Sequence, residues 1–449
     1  MGSRGGTILA STSVALLIAV LAVAFVGDRR AADGDVLGKV GGVSLSAADT
    51  SATDTGATST ASPSTLLAPV TGAPTTTLAP TTETPATVAP TTEPGPIATT
   101  TTLYDGPIRV ATLAFTGDIM AHSEVTRYAS INAGGISGYD FGPMFEAVAP
   151  ELSAADLAIC HLETTLSASA QPQGFPVFRA PGEMATAIEA AGYDGCSVAS
   201  NHSYDYGEDG VISTLDVLDD AGLEHTGTAR TLDEARKTTL YDAAGIRVAH
   251  LSYTYGLNVE GPGTGAEFQV NLIDAATIID DAIRARRAGA DFVVASLHWG
   301  VEYEDEPSED QVALAQVLAD ESLLDLVIGH HAHHIQPVSK VGDLWVAYGL
   351  GNFLSNQTPG CCGIPSEDGV ILTVTIVDTP TGVEIDGMTF TSTWVDRAQM
   401  KIMPTVSSLT LDGFPSWYQA VLQNSYDRTV AAVTAFDPTG ALSLTPTTG

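Results

Sequence analysis

The stretch VIGHHAHHIQPV, residues 327–338, holds four of the ten histidines of the chain within five positions. It follows directly on an apolar run at 324–328 that has the character of a buried strand. Alternate residues of an extended segment face the same side, so we expect His331 and His333 to present their imidazoles together. A histidine-rich surface turn is the alternative interpretation. The ends of other strands in the same part of the chain favour a metal site.

Each of these other predicted strands is an apolar run, and polar residues come directly after it in the sequence. The runs lie at 108–115, 156–160, 194–199 and 291–297, and the residues that follow them include Asp118, Glu163, Asn201, His202 and His298. The carboxyl ends of parallel strands meet at one edge of a sheet. We therefore expect these side chains to share a pocket with His330, His331 and His333.

Carboxylate, amide and imidazole groups without a thiolate suit Mn, Fe or Zn, and so many donors could serve two ions. Two ions that share a site need a bridging carboxylate, for which Glu163 or Asp118 is suited. His202 is our candidate for an imidazole that protonates a leaving group. Asp205 lies just before a predicted helix, where it could cap that helix or orient His202.

The periodicity predicts helices that alternate with these strands, at 143–155, 183–191, 208–221, 275–288 and 307–319. Further strands follow at 344–350 and 370–377, and one more helix at 416–432. This order predicts an α/β fold in which helices cover a mixed sheet.

Composition divides the 449 residues into four segments, which we place at 1–31, 32–104, 105–400 and 401–449. The second is rich in Thr, Pro and Ala and nearly free of aromatic residues, so it is predicted to be a disordered linker. The third has the size of one large domain, and the fourth is a tail with one predicted helix. The net charge of −35 argues against a nucleic-acid partner and favours the attraction of divalent cations.

The first segment predicts the location of the protein. Residues 7–26 are apolar or small and uncharged, which is long enough to span a bilayer. We interpret them as a single-pass membrane anchor that leaves the domain outside the cytoplasm. The alternative is a cleaved signal peptide and a secreted protein. In an exported chain Cys160 and Cys196 could form a disulfide, or they could be buried free thiols.

Six segments together resemble the CapA family, named for the synthesis of poly-γ-glutamate capsules. They are GDIMAHSEV, DLAICHLETTL, SNHSYDYGEDG, SLHWGVEYEDEP, VIGHHAHHIQPV and YGLGNF, and they extend over about residues 108–357. The family is similar in fold to the calcineurin-like metallophosphoesterases. The resemblance therefore implies a layered α-β-β-α sandwich of metallophosphoesterase type.

The resemblance also implies roles for single residues. Asp118 and Glu163 would bind metal with Glu163 as the bridge, Asn201 would bind the second metal, and His202 would be the catalytic imidazole. His298 and two histidines of GHHAH would complete the coordination, and the spacing favours His331 and His333, with His330 in reserve. The chain departs from the family where His161 replaces an asparagine, which changes the surroundings of Glu163 or adds a ligand.

The function implied is that of a membrane-anchored protein that helps to make, export or attach an anionic surface polymer such as poly-γ-glutamate, together with capsule-synthesis membrane proteins. A metal-dependent phosphoesterase outside the cytoplasm and a non-catalytic surface scaffold are the alternatives.

Overall fold

The computed structural model of the protein describes residues 108–411, 413–437 and 444–447. The predicted anchor and linker, at 1–31 and 32–104, lie outside these residues. Among the helices of the described residues, none combines the length and the apolar character that crossing a bilayer requires.

The larger of two facing sheets contains the first strand of the domain at its centre. Its strands are β1 (Val110–Ile119), β2 (Leu157–Leu162), β5 (Gly195–Ser197), β6 (Glu224–Thr226), β13 (Asn352–Leu354), β14 (Asp368–Thr379), β15 (Gly382–Asp396), β16 (Lys401–Pro404) and β17 (Leu444–Pro446). The main order is β16-β15-β14-β1-β2-β5-β6, while β13 pairs with β1 and β17 pairs with β15. Strands β1, β2, β5 and β6 are parallel, so their carboxyl ends lie at one edge.

The second sheet follows the order β11-β12-β10-β9-β8-β7. Its strands are β7 (Thr239–Ala243), β8 (Ile246–Thr254), β9 (Phe292–His298), β10 (Leu326–His330), β11 (Ile335–Val341) and β12 (Leu344–Leu350). Strands β8, β9, β10 and β12 run parallel to one another, while β7 and β11 pair antiparallel at the two ends of the sheet. A separate two-stranded ladder joins β3 (Thr165–Ser167) and β4 (Arg179–Pro181).

Helices surround the two facing sheets. They are α1 (Ser123–Asn132), α2 (Gly142–Phe145), α3 (Ala149–Leu152), α4 (Glu183–Ala190), α5 (Gly207–Ala221), α6 (Leu232–Ala235), α7 (Ala275–Arg287), α8 (Glu309–Glu321), α9 (Pro359–Cys362), α10 (Thr405–Leu409) and α11 (Ser416–Val433). One apolar core joins α1 to α5 with the larger sheet, and another joins α7 and α8 with the second sheet. A third core, which includes Phe115 and Phe292, fills the space between the sheets. The order of layers is therefore helix, sheet, sheet, helix, as expected of a mixed α/β protein.

The helix predicted at 143–155 is wrong, because the chain forms the two short helices α2 and α3 there. Pro150 lies in the first turn of α3 and has no backbone N–H to donate to the preceding turn. The longer predicted helices agree with the structure to within a few residues. Asp274, for example, accepts a hydrogen bond from the backbone N–H of Thr277 and so caps α7.

Disulfides connect all four cysteines. Cys160 in β2 lies opposite Cys196 in β5, and their sulfurs are bonded, which decides between the two alternatives left by the sequence. The second disulfide joins the adjacent residues Cys361 and Cys362 in α9. Proteins with such bonds occur mainly in oxidising compartments.

Removal of the Cys160–Cys196 disulfide is expected to lower the free energy of unfolding by roughly 2–4 kcal/mol, because the bond closes a loop between residues 36 positions apart. Urea unfolding of the C160A/C196A variant, followed by circular dichroism, measures the loss. The C361A/C362A variant is the matched control, since a bond between neighbours closes no chain loop of that kind. Equal losses in the two variants would contradict the expectation.

Candidate metal centre

The polar residues that follow the strands meet between the two sheets. Asp118 and Glu163 come from β1 and from the residue after β2 in the larger sheet, and His298 and His330 end β9 and β10 in the second sheet. The sequence predicted that the site residues lie at one edge of a single sheet, whereas the structure builds the site from the edges of two sheets. A shift of register between Phe115 and Asp118 interrupts the pairing of β1 with β2 just before the site. All of the predicted site residues are buried, namely Asp118, Glu163, Asn201, His202, Asp205, His298, His330, His331 and His333.

Asp118 holds the histidine cluster in place through three hydrogen bonds. Its carboxylate accepts from His330 Nδ1 at 3.2 Å, from the backbone N–H of His331 at 3.2 Å and from His333 Nδ1 at 2.9 Å. Burial raises the pKa of Asp118, but the hydrogen bonds from His330 and His333 outweigh burial and hold the pKa well below its usual value. Asp118 is therefore a charged carboxylate inside the protein.

Glu163 is completely buried, yet neither of its carboxylate oxygens has a hydrogen-bond partner among the described residues. Burial, followed by the nearby charge of Asp118, raises the pKa of Glu163 well above its usual value. Its Oε1 lies 3.7 Å from His298 Nε2 and 3.9 Å from His333 Nε2. These distances are too long for hydrogen bonds. They suit atoms that share a cation, because two ligands that each bind one ion at about 2.1 Å are roughly 3–4 Å apart.

Three sets of side chains in the described part of the chain have the spacing of a cation site. They are Asp118, His161 and His330; His161, Glu163 and His298; and Glu163, His331 and His333. Within each set the ligand atoms lie within 4.8 Å of one another, and every residue is buried. Because His161 and Glu163 each belong to two sets, the three sets form one continuous cluster. Its carboxylates and imidazoles are compatible with metal binding.

Asn201 extends this cluster through its contact with His298. The Asn201 side-chain oxygen lies 2.9 Å from His298 Nε2, and His298 Nδ1 lies 2.9 Å from His161 Nε2. Burial, together with the neighbouring imidazole of His331, lowers the pKa of His298 well below its usual value. The ring is therefore neutral near pH 7, which is the form that binds metals.

The backbone of the histidine cluster is not extended as predicted. Strand β10 ends at His330, and His331 and His333 adopt left-handed conformations with φ of 83° and 56°. Alternation along a strand was therefore the wrong reason to group them, although both still join Glu163 in one set. His330 instead joins Asp118 and stacks on His161 with 3.9 Å between ring centroids.

The fourth histidine of the cluster points away from these sets. His334 contacts Asp305 Oδ1 through Nδ1 at 2.9 Å and the backbone carbonyl of Cys362 through Nε2 at 2.8 Å. Both of its ring nitrogens are thus engaged. His334 links the cluster to the turn that contains the second disulfide.

The role of Asp205 is decided by its contacts. Its Oδ2 accepts from His202 Nδ1 at 2.7 Å and from the backbone N–H of Phe178 at 2.6 Å. Helix α5 begins two residues later without a side-chain cap, so Asp205 orients His202 and does not cap the helix. Because Nδ1 donates to Asp205, His202 Nε2 is the acceptor for the amide of Asn258 at 3.2 Å.

His122 also lies beside this site, although sequence reasoning did not single it out. Its Nδ1 accepts from the backbone N–H of Asn356 at 3.3 Å, and its ring packs edge-on against Phe178. Burial and the imidazoles of His333 and His202 lower the pKa of His122 to about 4. The available signal was a histidine four residues after Asp118, and a spacing of four is too common to carry that inference.

A second feature that the sequence did not indicate is the ring of Tyr255. It is half exposed and lies 4.4 Å from the ring of His331. The aromatic residues Trp299, which follows the end of β9, and Phe353, which lies in β13, are buried.

Comparison with known proteins places the same part of the chain in a family. The family model described as bacterial capsule synthesis protein PGA_cap matches residues 112–357. The match includes every residue of the three cation-compatible sets, as well as His202 and Asp205.

Two curated relatives carry the name CapA. The chain is 30% identical over 181 residues to the capsule biosynthesis protein CapA of Bacillus anthracis, which covers 39% of this chain and 43% of the relative. It is 32% identical over 162 residues to the PGA biosynthesis protein CapA of Bacillus subtilis, which covers 35% of this chain and 42% of the relative. The chain thus spans less than half the length of these relatives.

Among solved structures, the chain is similar to the calcineurin-like phosphoesterase YfkN from Bacillus subtilis. The TM-score is 0.38 at 14% identity, and the match covers 72% of this chain and 98% of the other.

Proposed function

Because the chain belongs to the bacterial capsule synthesis protein PGA_cap family, we propose that it is a metal-dependent hydrolase that serves the synthesis of an anionic surface polymer such as poly-γ-glutamate. The observation that carries the hydrolase is Glu163, a fully buried carboxylate without a hydrogen-bond partner among the described residues and surrounded by imidazole nitrogens. A buried carboxyl of this kind lacks the partner that its ionised form requires, and a cation is the partner that these neighbours favour.

The residues that would hold the metal are Asp118, Glu163, Asn201, His298, His331 and His333, with His330 beside Asp118. Glu163 belongs to two of the three sets, which supports its role as the bridge between two ions of Mn, Fe or Zn. Such ions supply a nucleophilic water at neutral pH and stabilise the charge of the attacked group.

His202 would deliver a proton to the leaving group from Nε2, once that nitrogen has taken up a proton from water. Asp205 fixes its Nδ1–H, so that Nε2 is the atom that exchanges a proton with the substrate. Tyr255, half exposed beside His331, would limit the approach of water and orient the bound polymer.

The proposal includes a location at the outer face of the cell membrane. The apolar residues 7–26 support an anchor, and the Thr/Pro/Ala-rich residues 32–104 support a spacer. The two disulfides support an oxidising compartment. Other membrane proteins of polymer synthesis would then be its partners.

The net charge of −35 favours a second candidate, a phosphoesterase with a small substrate. A strongly acidic protein repels a long polyanion more than it repels a small phosphoester. A paired metal site also suits phosphoester hydrolysis, since it clamps both the attacking and the leaving oxygen.

Deletion of the gene, followed by weighing of the surface polymer, tests the main proposal. The polymer should change in amount or chain length, and wild-type protein should restore it while the E163Q variant should not. Restoration by E163Q would show that the role in polymer synthesis is not hydrolytic. Unchanged polymer, together with cleavage of bis(4-nitrophenyl) phosphate by the purified protein, would favour the second candidate.

Metal uptake near neutral pH is expected to release protons and to weaken as the pH falls. Burial and Asp118 raise the pKa of Glu163, so a cation has to displace the proton that this carboxyl otherwise holds. Asp118, whose pKa is lowered, contributes no proton. Isothermal titration calorimetry in two buffers of different ionisation enthalpy measures the release, and identical apparent enthalpies would contradict it.

A further inference from the structure

We propose that His161 is itself a cation ligand of this site and that it biases the site toward metals that prefer imidazole, such as zinc. The inference rests on the metal site of the proposed function and adds to it a residue and a metal preference. His161 lies in β2, two residues before Glu163.

The backbone places His161 at the centre of the cluster. In the larger sheet β2 lies between β1 and β5, and His161 is opposite Asp118 on one side and opposite Ser197 on the other. Its side chain is completely buried and points across to the second sheet, where it stacks on His330 and reaches His298.

The contacts of the two ring nitrogens show which of them faces the metal cluster. Nδ1 lies 2.6 Å from the hydroxyl oxygen of Ser197, which can accept its proton. Nε2 then presents a lone pair to the cluster, 2.9 Å from His298 Nδ1. A hydrogen bond on one nitrogen that fixes the other toward a metal is the usual arrangement of a ligating histidine.

Membership of two sets distinguishes His161 from the other imidazoles of the described residues. It joins Asp118 and His330 in one set and Glu163 and His298 in another. An added imidazole makes the donor set richer in nitrogen. Nitrogen-rich sets suit zinc and iron, whereas sets of carboxylate, carbonyl and water suit manganese and magnesium.

A role in positioning alone is the alternative. The ring of His161 would then only connect Ser197 to His298 by hydrogen bonds. The two roles differ in their effect on metal selectivity and on the number of imidazoles bound to the metal.

The test uses the full-length protein, purified in detergent and stripped of metal with a chelator. Competition titrations give the affinities for Zn²⁺ and Mn²⁺ of the wild type and of the H161N and H161Q variants. We expect the affinity for Zn²⁺ to fall by about 100-fold or more, beyond the roughly 10–100-fold that loss of a supporting contact causes. The affinity for Mn²⁺ should fall less. X-ray absorption spectra of the Zn²⁺-loaded protein should show fewer imidazole ligands per ion in both variants.

H250N is the matched control, since His250 is also a fully buried histidine bonded to a serine hydroxyl, Ser296, and belongs to none of the three sets. Unchanged Zn²⁺ to Mn²⁺ selectivity and an unchanged imidazole count in H161Q would overturn the inference. If H298A loses metal while H161N and H161Q retain it with wild-type selectivity, only the inference about His161 fails. If H298A also retains its metal, the proposed site fails. Should both His161 variants misfold, the number of imidazole ligands per ion in the X-ray absorption spectrum of the Zn²⁺-loaded wild type decides. Coordination without His161 would give fewer imidazole ligands per ion than coordination with it.

Discussion

The E163Q variant is expected to lose its bound metal and, in the absence of metal, to be at least as stable as the wild type. The carboxylate of Glu163 is buried without a hydrogen-bond partner among the described residues. A neutral amide of nearly the same shape avoids the cost of ionising a buried carboxyl as the pH rises. In the metal-free protein the substitution should therefore be neutral or stabilising.

The sign of the pH dependence follows from the raised pKa of Glu163. A carboxyl with a pKa higher in the folded than in the unfolded state contributes its full stability at low pH and loses it as the pH rises through the folded pKa. The metal-free wild type should therefore lose stability relative to E163Q between acidic and alkaline pH. Thermal unfolding in chelator at two pH values measures this difference.

Metal reverses the order of stability. Excess metal at 1,000 times its Kd stabilises the wild type by about 4 kcal/mol, which is on the order of 10 °C in Tm. E163Q should gain little. The control is E151Q, because Glu151 is a partly buried carboxyl that accepts a hydrogen bond from Thr391 and lies outside the three sets. Stoichiometric metal in E163Q would refute the central role of this carboxylate.

The H202N variant is expected to keep its metal and to lose about 10²- to 10⁴-fold in kcat, because general acid catalysis contributes a factor of this size. His202 belongs to none of the three cation-compatible sets, so its removal should leave their donors intact. The measurement pairs metal analysis with hydrolysis of poly-γ-glutamate and of bis(4-nitrophenyl) phosphate.

The D205N variant should lose activity for a related reason. An amide in place of Asp205 can either accept from or donate to His202 Nδ1, so it no longer fixes the proton there and Nε2 would lose its defined role. H225N provides the matched control for H202N, since His225 also pairs with an aspartate, Asp219, at 3.1 Å and lies outside the site. Loss of metal in H202N, or equal loss of activity in H225N, would contradict the assignment.

Much of the site was predictable because its residues lie at the ends of apolar runs. Asp118, Glu163, Asn201 and His298 each follow such a run, and the structure brings all four together. The family resemblance is likewise confirmed over residues 112–357. Both inferences depend on order along the chain, which the sequence contains in full.

Other features depend on contacts between distant segments. The contact of Asp205 with Phe178 and the approach of His122 to Asn356 join residues 27 and 234 positions apart. No local pattern distinguishes such residues from ordinary caps or surface histidines. The left-handed conformations of His331 and His333 are also not indicated by their residue types, since bulky side chains rarely adopt them.

The sequence by itself determined most of the longer helices and which strand ends carry acid, amide and imidazole, because hydrophobic periodicity and residue type are local properties. Only the tertiary structure decided that these strand ends belong to two facing sheets and that Cys160 and Cys196 are bonded. It also decided that His161 lies close to both Asp118 and Glu163. The physical reason is that burial between two layers is a property of the packed chain. Ionisation of Glu163 is unfavourable, and a bound cation is needed to offset it, only because the packed layers bury this side chain.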